Sequence, residues 1–102
     1  MNNAALDAFE QTDYLADGYE EVLDAVRPAF VQLLQDLRAL PDSADEQARL
    51  RAFSAAFDLI NEHEDDIETD ERETILGAIY AIGSLVGLPA ATQYAEQWRG
   101  DW

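Results

Sequence analysis

Cysteine is absent from this 102-residue chain and so is lysine; one histidine and one methionine occur, and all six basic residues are arginines. Without cysteine there is no disulfide framework, no thiolate metal site and no thiol nucleophile, so the fold must hold in a reducing compartment as well as in any other. One histidine cannot supply the Glu-x-x-His pairs that di-iron helical bundles use. The five glycines match no phosphate loop or dinucleotide fingerprint. The stretch Met1 to Asp7 has neither a basic nor an apolar signal region, so the cytoplasm is the expected location. Thr74 to Ala95 is 22 residues without a charge, close to the length of a membrane span. Pro89 and Gln93 inside it, and the lack of a flanking basic cluster, favour a buried helix instead, with no membrane contact.

What is abundant is carboxylate. Twenty-two acids give a formal charge of −16, and they are segregated. Residues 1–24 hold seven acids and no base; residues 52–73 hold nine acids against Arg72 alone; the stretch between them is balanced. Like charge gathered in two blocks destabilises the compact state. A basic partner is the most economical compensation, and acidity serving only solvation, as in a salt-adapted organism, is the alternative. Such a surface disfavours direct binding of nucleic acid. At 48% hydrophobic residues with ten aromatics the chain is too apolar for a disordered tail, and its length suits one domain, 1–102.

Helical periodicity runs through nearly all of it. Tyr19, Val22, Leu23, Val26, Phe30, Leu33, Leu34 and Leu37 form a 3-4 stripe that keeps phase across Pro28. It predicts one helix over about 18–39, kinked at the proline, with a break into two as the fallback. Asp17 with Glu20 offers a capping pair. A second helix is expected from Ser43, boxed by Glu46, to His63 or Glu64, with Leu50, Phe53, Phe57 and Ile60 inward. A third, capped by Thr69 or Asp70, turns Ile75, Leu76, Ile79, Ile82 and Val86 inward. Its other side, Gly77, Ala81 and Ser84, is nearly bare, and Gly87 and Pro89 end it. A short last helix carries Ala91, Tyr94, Ala95 and Trp98; residues 1–16 read as a short helix or a frayed arm. The expected fold is all-α: a compact antiparallel bundle of three main helices with short helices at both ends. Trp98 fits the core. Trp102 has no periodic partner and reads as a frayed end or a binding anchor.

Catalytic and metal constellations do not assemble from this inventory. Around His63 the helical neighbours are Leu59, Ile60, Asp66 and Ile67, so only one carboxylate shares its face. The run Asp65 to Glu71 lacks the ligand spacing and glycine of a calcium loop. Ser43 lies in Asp42-Ser43-Ala44, not the Asp-Ser-Leu setting of an acyl carrier. No enzyme activity, cofactor or metal is expected.

The stretch Ile67-Glu68-Thr69-Asp70-Glu71-Arg72-Glu73, leading into Gly77-Ala78-Ile79-Tyr80-Ala81-Ile82 and ending in Trp98-Arg99-Gly100-Asp101-Trp102, resembles small acidic immunity proteins encoded beside bacterial polymorphic toxins of the Rhs and contact-dependent kinds. The resemblance covers the C-terminal half. The tyrosine-pair loop of the colicin-nuclease immunity proteins is absent. What the resemblance implies is a cytoplasmic inhibitor of one cognate toxin domain; the charge of the chain adds that this toxin is basic, such as a nuclease, and the chain itself is expected to be a non-catalytic monomer. The residues expected to meet it are Glu62, Glu64, Asp65, Asp66, Glu68, Asp70 and Glu71 in the second block, Asp13, Asp17 and Glu20 in the first, and Trp102. A secretion chaperone or a structural adaptor is the alternative class.

Overall fold

Each of the three long apolar stripes becomes one helix, whereas the fourth, Ala91 to Trp98, forms two 3-10 turns instead of the short helix expected, because Gln93 between them takes left-handed backbone. The computed structural model describes residues 1–102: α1 spans Asn3–Glu10, α2 Glu20–Ala39, α3 Glu46–Ile60 and α4 Thr69–Leu85. A 3-10 segment, Asn61–Asp66, continues from α3, and two 3-10 turns, Ala90–Thr92 and Tyr94–Gln97, follow α4. The chain forms no strand, and no helix is long and apolar enough to cross a membrane.

Pro28 lies inside α2 without dividing it. Val26, Ala29, Phe30 and Leu33 are buried on either side of it, while Pro28 and Asp24 are exposed. The carbonyl that the proline leaves unbonded is therefore on the wet face, where water can satisfy it.

The starts of the helices differ from those expected. Helix α2 is capped by Tyr19 in extended backbone, with no side-chain bond, so Asp17 and Glu20 make no capping pair. Ser43 sits in a turn closed by the Ala44 amide donating to the Pro41 carbonyl at 2.9 Å. Helix α3 begins after it, and Asp45 accepts from the Ala48 amide at 2.9 Å. The cap of α4 is Glu68, not Thr69 or Asp70. Helix α3 ends as α-helix at Ile60, and the chain coils on as 3-10 to Asp66 through a non-helical His63.

The core is continuous across all four helices. Leu33, Leu37, Phe53, Phe57, Ile75, Ile79 and Ile82 are fully buried in it, each contributing about 1.5–3 kcal/mol by leaving water. Leu50 stays half-buried at its edge. The most extensive helix–helix packing is between α2 and α3, and α1 lies against both α2 and α4. The N-terminal arm is docked rather than frayed: Leu6 is buried, and Arg38 of α2 holds Asp7 at 2.7 Å and also pairs with Glu10. Phe9 stacks on Tyr14 at 5.0 Å, and Tyr14 lies 5.6 Å from Phe30, which ties the 11–19 connection to α1 and α2.

The C-terminal segment also packs down. Trp102, 6% exposed, stacks on Phe57, and its indole N–H donates to Asn61 Oδ1 at 2.7 Å. Tyr94 is buried against Gly83, where an added Cβ would fall 1.9 Å from the tyrosine hydroxyl. That hydroxyl has no hydrogen-bond partner.

Candidate functional site

The site is built on a carboxylate that is not part of its surface. Glu71, in the first turn of α4, is 1% exposed. Its Oε1 accepts from the Glu68 amide and its Oε2 from the Tyr19 amide, each at 3.2 Å. One side chain thus serves the N-terminal amide groups of α4 and α2, the positive ends of both helix dipoles. Gly18 makes this possible. Its φ is +139°, and a Cβ there would fall 2.6 Å from Glu71 Oε2, so glycine answers both the backbone angle and the close approach. The Thr74 hydroxyl adds a bond to the Asp17 carbonyl.

This tie sets the start of α2 beside the start of α4, and with them the two acidic blocks. A cleft of about 580 Å³ is lined by Glu20 and Glu21 from α2 and by Asp65, Asp66 and Glu68 from the connection ahead of α4, with Tyr19 and Val22. Next to it Asp17, Asp70, Glu73 and Thr74 line a second hollow of about 450 Å³. No arginine lines either one, and the chain's ion pairs all lie elsewhere. Tyr19 is 71% exposed, the most exposed large hydrophobic side chain of the molecule.

Eight of the eleven residues expected at a partner surface are exposed: Asp13, Asp17, Glu20, Glu62, Asp65, Asp66, Glu68 and Asp70. Glu20, Asp65, Asp66 and Glu68 share one cleft; Asp17 and Asp70 share the other hollow. Asp13 lies beyond them on the 11–19 connection. Glu62 lines neither hollow.

Three expectations are corrected. Glu71 is an internal tie, because both its oxygens are taken by helix-start amides. Trp102 is neither frayed nor presented to a partner, because Phe57 and Asn61 hold it. Glu64 is half-buried and accepts from the Asp101 amide at 3.0 Å, so it fastens the C-terminal segment.

The residues missed by sequence reasoning are Tyr19, Glu21 and Glu73. Tyr19 reads as the first position of the α2 stripe, but as a cap with φ −67° and ψ 124° it leaves the helical register and points into solvent. A signal for Glu71 was present in the chain: Glu68-x-x-Glu71 just before an apolar run has the spacing of a capping box.

Chemically, the arrangement offers concentrated negative potential beside one exposed aromatic ring. Nowhere do three or more His, Asp or Glu side chains gather in a geometry that could hold a metal ion. Beyond the molecule itself, no known protein family, curated protein or solved structure matches this chain.

Proposed function

We propose that this chain is a non-catalytic immunity protein that binds and neutralises a basic toxin domain through the acidic face around Tyr19. The observation that carries the reading is the convergence of two acidic blocks, distant in sequence, on one cleft that contains no cation. Holding five carboxylates together with no cation among them opposes folding, and a partner bearing arginine or lysine turns that opposition into attraction. Charge of this kind acts first on encounter: steered association reaches about 10⁸–10⁹ M⁻¹s⁻¹ at low salt. Tyr19 supplies what charge alone does not, a ring able to pack under a guanidinium or ammonium group while its hydroxyl stays wet.

The test is association rate against ionic strength, after co-expression rescue has identified the toxin domain. The variant carries Glu20→Gln, Asp65→Asn, Asp66→Asn and Asp70→Asn, leaving Glu68 and Glu71 to shape the start of α4. At low salt it should associate at least about tenfold more slowly than wild type, and the two rates should converge as salt screens the field. Equal rates at every salt concentration would reduce these acids to a solvated face.

A further inference from the structure

Four of the five glycines are explained from within the fold. Gly18 and Gly87 have positive φ, and a Cβ at Gly83 or Gly100 would fall 1.9 Å or 2.1 Å from a neighbouring side-chain oxygen. Gly77 is different. It lies in the middle of α4, exposed, with an ordinary helical backbone, and a Cβ added there would meet nothing within 4 Å. A glycine at such a position weakens the helix relative to alanine, and no internal contact offsets it.

The surroundings of Gly77 are a groove of about 310 Å³ between α4 and the end of α1 with its 11–19 connection. Gly77, Ala78 and Ala81 line it from α4, and the Phe9–Tyr14 stack supplies aromatic side chains from the other side. Asp13, Asp17 and Glu73 line it too, and no basic residue does. Asp17 and Glu73 also line the second acidic hollow, so the groove continues the acidic face.

We infer that this groove is the seat for an amphipathic helix of the basic partner, its small-residue seam lying on Gly77 and Ala81 and its arginine or lysine flanks meeting Asp13, Asp17 and Glu73. The inference rests on the acidic face being a partner surface and adds to it a mode of docking. A side chain at position 77 would hold an incoming helix away, whereas bare backbone lets two helices come within the 8–10 Å of close packing. A helix laid in a groove by its apolar seam, with charge deciding its direction, is a recurrent recognition mode.

The probe is a synthetic peptide of about 18 residues, roughly 27 Å long as a helix, with an alanine and leucine seam flanked by arginines. The control has glutamine at every arginine. Both are titrated into the isotope-labelled full chain at low salt while amide shifts are followed. The arginine peptide should shift Asp13, Asp17, Glu73, Gly77 and Ala81, and the glutamine peptide should not. Gly77→Gln should raise the melting temperature by about 2–6 °C through helix propensity, yet weaken the arginine peptide at least about tenfold.

Wild-type affinity in the Gly77→Gln chain, with shifts confined to Glu20, Glu21, Asp65 and Asp66, would overturn the groove while leaving the acidic partner surface standing. Equal binding of the glutamine peptide would also overturn it, since charge would then play no part. Failure of the arginine peptide to bind at all would overturn both.

Discussion

Neutralising an acid in a crowded acidic block should stabilise a protein, and at Glu71 it should do the reverse. The two oxygens of Glu71 accept from two different amides, those of Tyr19 and Glu68. Glutamine keeps the shape but offers one oxygen and one NH₂, so one helix-start amide must face another donor. Leaving a buried donor unsatisfied costs about 1–3 kcal/mol, and losing the negative charge next to two helix N-termini costs about 0.3–1 kcal/mol at each. Together these give about 2–5 kcal/mol, a large part of the 5–15 kcal/mol typical of whole domains, and a fall in melting temperature of roughly 8–40 °C for a chain of this length. Asp66→Asn, in the same block but exposed, should leave stability unchanged or raise it by a few tenths of a kcal/mol. Thermal denaturation followed by circular dichroism at low and high salt separates the two. The Asp66→Asn gain should fade as salt screens the surface, while the Glu71→Gln loss persists because the group is buried. A Glu71→Gln chain melting at or above wild type would refute the internal tie.

Three further outcomes follow from the C-terminal half. Tyr94→Phe should stabilise the protein by about 1 kcal/mol at neutral pH, because it removes a buried hydroxyl without a partner; a less stable variant at pH 7 would show that the hydroxyl is satisfied. Burial, and secondarily Tyr80, push the Tyr94 hydroxyl above its ordinary value of 10.0, so the unfolded chain loses this proton first as pH rises. Stability is whole below pH 10 and should decline above it by about 1.4 kcal/mol per pH unit for this group, a loss that chemical denaturation at pH 11 should find reduced in Tyr94→Phe. Trp102→Ala should cost about 3 kcal/mol by uncovering Phe57 and freeing Asn61, as read from its urea midpoint; an unchanged midpoint would mean that the end is frayed after all.

The core was legible because its signal is redundant. Leu33, Leu37, Phe53, Phe57, Ile75, Ile79 and Ile82 each repeat a 3-4 spacing supported by several neighbours, and burial follows from the stripe as a whole. Helix starts were less legible, since each connection offers competing caps: Asp42, Ser43 and Asp45 before α3, Glu68, Thr69 and Asp70 before α4. The choice turns on backbone angles that propensity does not resolve. The meeting of the two acidic blocks depends on the Gly18–Glu71 approach, a contact across more than fifty positions that no local pattern announces. Trp102 was misjudged for a related reason, because it packs from irregular backbone, where periodicity says nothing.

The amide of Asn61 engages the last turn of the chain three times: it donates to the Trp98 carbonyl at 2.8 Å and accepts from the Gly100 amide at 3.0 Å and the Trp102 indole at 2.7 Å. Three bonds to one side chain couple residues 98–102 to each other, so hydrogen exchange is expected to show them opening together. Asn61 begins the 3-10 segment that leads to Asp65 and Asp66, so that opening also removes restraint from one wall of the acidic cleft. Residues 98–102 thereby restrain, through Asn61, the segment that leads into the face proposed to meet the partner.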